Sequence, residues 1–170
     1  MLKIRLAVAS LGFAMMLPAS SVLFAQTTNN IPVAPIPSQI LTAKTVFISN
    51  ASGEFDRARW SGGPERTYNE FYAAIKGWGH YDFVSTPSDS DLVLQIGFTT
   101  IAGFNGSSNY PQITLFLLDP KTHIVLWTLA ENAPLTGGLQ KSRDKSFSDA
   151  IAKLVGDLKA LTAQPAASTK

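Results

Sequence analysis

Asp91–Thr99 reads DLVLQIGFT, and its alternation decides the fold. Leu92, Leu94, Ile96 and Phe98 fall on one face of an extended chain, with Gln95 and Gly97 on the other. A period of two with one apolar face is the pattern of a strand with one well-buried side. Upstream, Thr45–Ser49 (TVFIS) is a β-branched and aromatic run and predicts a first strand. Between the two, Tyr68, Phe71, Tyr72, Ile75 and Trp78 recur at three and four residues, so a helix runs from about Glu65 and ends at Gly77 and Gly79. Tyr81–Val84 follows as a short second strand, stopped by Thr86-Pro87-Ser88.

Downstream, Gln112–Leu118 and Ile124–Glu131 are two more strands, joined by Asp119-Pro120-Lys121-Thr122-His123, where Asp followed by Pro is turn chemistry. Phe147, Ile151, Leu154, Val155, Leu158 and Leu161 form one stripe of a closing helix, with Asp144 or Ser146 as its cap. The order β-α-β-β-β-β-α predicts an α+β fold, a two-layer sandwich of a mixed five-stranded sheet with two helices on one face. A right-handed crossover through the first helix leaves strand one parallel to its neighbour. With strand three as that neighbour, the loops Asn50–Pro64 and Thr100–Tyr110 leave the sheet at the same end.

The chain has 170 residues, 45% hydrophobic and 15% charged, which suits one domain and excludes a disordered tail or a coiled coil. Met1–Ala25 has a basic start (Lys3, Arg5), an apolar run from Leu6 to Leu17 and a Ser/Ala stretch to Ala25, the three-part pattern of a signal peptide. Leu23 is large for the third position before the cut, so an uncleaved anchor is the alternative. Residues 26–39 (QTTNNIPVAPIPSQ) read as a proline-rich spacer, 40–162 as a single α+β domain and 163–170 (AQPAASTK) as a disordered tail. Without Lys3 and Arg5, twelve basic residues face twelve acidic ones, which argues against a nucleic-acid surface. The absence of cysteine excludes disulfides, thiolate metal sites, a catalytic Cys and a lipidated N-terminal Cys. The expected location is periplasmic or extracellular.

No catalytic grouping stands out. His80 follows the helix-ending Gly79 and His123 lies in the hairpin turn, and no second ligand has metal-site spacing from either. Asp91 and Asp119 have structural explanations, at a strand entry and a turn. No Gly-x-Ser-x-Gly occurs, and Gly103–Ser108 (GFNGSS) lacks the Lys-Ser/Thr of a nucleotide loop. The expectation is therefore not an enzyme, with no metal and no cofactor.

The two loops carry the binding-type residues: Arg57, Arg59 and Trp60 in the first, Phe104 and Tyr110 in the second. Trp, Tyr and Arg dominate binding energy at interfaces, so these five are the candidate binding residues, expected to lie exposed together at one end of the sheet. The structural alternative is that Phe55 and Trp60 fold back onto the edge of the core. Strands four and five are apolar on both faces, with Ile113, Leu115 and Leu117 on one and Phe116 and Leu118 on the other. Either the spacer or a partner is expected to cover the second face.

Leu117–Trp127 (LLDPKTHIVLW), with Ser90-Asp-Leu-Val-Leu before it and the helix Phe147–Leu161 after it, resembles uncharacterised secreted proteins of acidobacterial type. More distantly it is similar to periplasmic envelope domains such as the amino-terminal domain of the Tol–Pal system's periplasmic protein. The resemblance spans roughly Ile40–Leu161. It implies a mixed sheet with helices on one side and a role in envelope assembly or binding rather than catalysis. The expected partner is another envelope or periplasmic protein, bound through the loops 50–64 and 100–110 or the open sheet face, with a small-ligand or glycan-binding module as the alternative and a hydrolase behind it.

Overall fold

The structure is a computed structural model and describes residues 34–51, 53, 59–102, 109–135 and 137–164. Its elements are α1 (Ser38–Thr42), β1 (Thr45–Asn50), α2 (Arg66–Trp78), β2 (Asp82–Phe83), a 3₁₀ turn (Pro87–Asp89), β3 (Leu92–Ala102), β4 (Asn109–Leu118), β5 (Val125–Asn132) and α3 (Gln140–Thr162). The sheet order is β2-β1-β3-β4-β5. β1 is parallel to both β2 and β3, and β3, β4 and β5 form an antiparallel meander. The fold is thus α+β, a mixed five-stranded sheet with helices.

Alternation builds the core. Val46 and Ile48 of β1, Leu92, Leu94, Ile96 and Phe98 of β3, and Ile113, Leu115 and Leu117 of β4 are all buried on one face. They join Phe71 and Ile75 of α2 and Phe147, Ile151, Leu154 and Leu158 of α3 in one cluster. Each such side chain contributes about 1.5–3 kcal/mol on burial. Trp127 and Leu129 on β5 are partly buried and pack against this cluster, opposite Leu117 and Leu115. The pairing slips between Leu117 and Leu118, and Leu126 is the extra residue of that bulge. Helix α2 ends where expected, at Gly79, whose φ of 67° is left-handed and whose N–H donates to the Ile75 carbonyl.

Three boundaries differ from the sequence reading. Ser38 and Gln39, assigned to the spacer, belong to α1, and Gln39 donates to the Asp91 carbonyl at 2.8 Å and to the Asp119 carboxylate. Ile36 also packs against the core. β3 and β4 extend past the buried stripe, so Tyr110 is a strand residue rather than a loop residue. Helix α3 begins at Gln140, which places Asp144 and Ser146 inside it and not at its cap. The apolar stripe starts only at Phe147, and the polar first two turns carry no helical signal of their own.

The second face of the sheet is partly covered by the chain itself. β2 and β3 lie on either side of β1 and run parallel to it, so their connection must pass across β1. It does so on the face away from the helices, where Pro87 lines a small hollow with Phe47, Ser49, Val93, Gln95, Leu118 and His123. His123 has φ 58°, the left-handed turn conformation, and Asp119 accepts from the Lys121 N–H and the Thr122 hydroxyl to hold that turn. Asp91 accepts from the N–H groups of Lys44 and Thr45, which fixes the start of β1 against that of β3.

Candidate functional site

The parallel pairing of β1 and β3 settles where the two loops sit. Asn50 is opposite Ile96, and the N–H of Ala51 continues the ladder to the Ile96 carbonyl at 2.7 Å. Gly53 then runs so close to β3 that a Cβ there would stand 1.7 Å from the Phe98 carbonyl oxygen. β3 leaves the sheet at Ala102 and β4 re-enters at Asn109, with Ile101 opposite Tyr110. Both connections therefore depart from one end of the sheet. Of the five candidate residues, Arg57 and Phe104 lie outside the described residues. Tyr110 occupies a β4 position of the same parity as Gln112, Thr114 and Phe116. Arg59 is half-buried, and its carbonyl accepts from Gln140 at 3.1 Å and Arg143 at 2.9 Å.

The expected exposure of Trp60 is corrected. It is 1% exposed, with its ring 5.3 Å from Phe98 edge-on and 6.0 Å from Phe147. The alternative reading, that it folds back onto the core, holds for this residue. Phe98 ends the β3 stripe and Phe147 begins the α3 stripe, so a hydrophobic gap remains where sheet and helix part, and the indole fills it. Burial of so large an apolar surface outweighs an indole N–H without a hydrogen-bond partner among the described residues.

Beneath the first loop lies a polar lock that the sequence did not reveal. Arg66, its side chain 9% exposed, donates to Glu70 and to the Asp144 carboxylate, both at 2.6 Å, and also to the carbonyls of Ser61 and Asp144. Its guanidinium lies 4.4 Å from the centre of the Phe147 ring. Asp144 also accepts from the Ser61 N–H at 2.9 Å, the Ser61 hydroxyl at 2.8 Å and Gln140 at 3.2 Å. Burial pushes the Asp144 carboxyl up, but Ser61, Arg66 and Gln140 together outweigh it and hold the group well below the usual carboxylate range. These bonds anchor Arg59–Ser61 to the first turns of α2 and α3. The only advance signal was an aspartate inside a polar helical run.

Three further hollows surround the domain. A cleft of about 330 Å³ opens beside β2 between Phe47, Ile48, Tyr68, Tyr72, Phe83, Val84 and Ser85. A groove of about 540 Å³ flanks β5 and the start of α3, where Lys153 pairs with Glu131 and Lys145 with Asp149. A third, of about 330 Å³, contains Asp91 and Asp119, whose carboxylates are held by the strand entry and the turn. Among the described residues no group of His, Asp and Glu could hold a metal ion, and no helix is long and apolar enough to cross a membrane.

No family model and no curated protein matches the chain. Solved structures resemble it distantly. The PelC dodecamer from Paraburkholderia phytofirmans is 16% identical, over 79% of this chain and 96% of that one, with a TM-score of 0.43. A neuraminyllactose-binding hemagglutinin homolog from Helicobacter pylori is 12% identical, over 78% and 91%, at 0.45. A DUF330 protein from Xanthomonas campestris is 14% identical, over 77% and 90%, at 0.41.

Proposed function

We propose that this is a non-enzymatic secreted or periplasmic protein that binds another cell-envelope component through the loops 50–64 and 100–110. The observation that carries this reading is the parallel register of β1 and β3, from which both loops rise at one end of the sheet. The lock of Arg66, Asp144 and Ser61 adds to it: a loop whose foot is fixed loses less entropy when its tip binds. The signal-peptide pattern of Met1–Ala25 supports export. The resemblance to acidobacterial-type secreted proteins and to the Tol–Pal periplasmic domain belongs to the same proposal. Arg57, Arg59, Phe104 and Tyr110 remain the contact residues of this reading. Trp60 is a core residue and is not among them.

The test is affinity capture from an envelope fraction with the tagged protein, beside a variant carrying Arg57→Ala, Arg59→Ala and Phe104→Ala. The expected result is one component retained by the parent and lost by the variant at unchanged thermal stability. Undiminished capture by a folded variant would remove the loops from the reading.

A further inference from the structure

The cleft beside β2 has a property that the other hollows lack: it contains an unfinished strand edge. Lys44, just before β1, and Val46 on it turn their carbonyls toward β2, accepting from Asp82 at 2.8 Å and Val84 at 3.1 Å. Thr45 and Ala51 turn to β3, where Thr45 accepts from Asp91 and Ala51 donates to Ile96. In a parallel ladder the residues of a strand address its two neighbours alternately. Ile48 therefore addresses the β2 side. The pairing of β1 with β2 stops at Val46 opposite Phe83, so among the described residues no strand lies beside Ile48.

The space left there is the cleft of about 330 Å³, and Ile48 lines it. Its walls are aromatic. Tyr68 and Tyr72 stack at 6.2 Å on the helix side, and Tyr72 meets Phe83 at 5.1 Å where β2 ends. Lys76, one helical turn on from Tyr72, holds its ammonium 5.8 Å from that ring, with no carboxylate paired to it among the described residues.

We propose that this notch is a binding site for an extended peptide segment of a partner protein, which adds a short strand to the β1 edge in the line of β2. Three observations select this occupant. An open main-chain N–H and C=O on one strand edge are satisfied together by another extended backbone. The aromatic walls suit alternate apolar side chains of that strand. Lys76 favours a carboxylate on the same segment. The groove along β5 presents a longer edge, but the ion pairs Lys153–Glu131 and Lys145–Asp149 stand along it, which leaves the notch as the better strand acceptor. The proposal does not depend on the role of the two loops.

A random octapeptide library displayed on phage, selected on the full chain, supplies the probe, and the best enriched peptide is then titrated into the ¹⁵N-labelled full chain. The expected result is a shift of the Ile48 amide resonance. Methylating the peptide nitrogen that pairs with Ile48 should weaken binding at least about tenfold, with the side chains unchanged. Tyr72→Ala should weaken it similarly and, if that variant is unstable, the methylated peptide alone decides. No enriched peptide, enriched peptides that leave the Ile48 amide unmoved, or indifference to methylation would each overturn the proposal. So would a saccharide array that fills the notch while every peptide fails.

Discussion

Arg66 and Asp144 stand 78 positions apart in the chain and meet at 2.6 Å, joining the first turn of α2 to the start of α3 over the Phe147 ring. The contact is largely shielded, since Arg66 is 9% and Asp144 23% exposed at the side chain. Removing one partner of such a pair leaves the other charge short of its hydrogen bonds. Asp144→Ala is expected to cost about 3 kcal/mol in urea unfolding, at the low end for a broken buried pair because some solvent reaches it.

The same carboxylate sets an acid limit. Its pKa is depressed in the folded state, so its contribution is complete above the unfolded value of about 3.9 and drains away as pH falls below it toward the folded value. Stability measured from pH 6 down to pH 2 should fall more steeply in the parent than in Asp144→Asn. Parallel curves would mean that another group controls the acid transition.

Gly53 runs against the backbone of β3, and an alanine Cβ there would overlap the Phe98 carbonyl oxygen at 1.7 Å. Backbone cannot yield as a flexible side chain does. Gly53→Ala should therefore destabilise by about 1–3 kcal/mol or push the first loop off β3. Amide exchange at Ala51, whose bond to Ile96 lies next to the clash, distinguishes the two outcomes.

On the helix side, Leu154 is fully buried beneath the sheet. Leu154→Ala should cost about 2–5 kcal/mol, read as a lower urea midpoint with the slope retained. This position, like the whole inner face, was legible from periodicity alone. Leu92, Leu94, Ile96 and Phe98 alternate without interruption, and Phe147 to Leu161 keeps a helical stripe, so sheet, helices and their shared side follow from spacing. Register and parallel pairing then place the two loops at one end.

What spacing does not carry is long-range closure. Trp60 has the residue type of a binding hot spot, and only the gap between Phe98 and Phe147 makes it a core residue. Asp144 looks like a helix cap because its partners, Ser61 and Arg66, are far away in sequence. The unfinished edge at Ile48 arises because β2 stops after two residues, a length that no pattern in Tyr81–Val84 foretells.

Arg59 and Trp60 are neighbours with opposite expected behaviour, which makes them the sharpest test of the first loop. Trp60→Ala empties a site closed by two phenylalanine rings and should cost about 3–5 kcal/mol, enough to unfold a small domain at modest temperature. Arg59 holds Gln140 and Arg143 through its main-chain carbonyl, which an alanine keeps. Arg59→Ala should therefore stay far closer to the parent in stability than Trp60→Ala, while weakening capture of the envelope component. Thermal melts and capture assays on the two single variants, side by side, provide the comparison. Should Arg59→Ala melt as early as Trp60→Ala, the loop is structural through both residues and the contact role of Arg59 is lost. Should it melt like the parent and capture fully, the binding surface lies elsewhere.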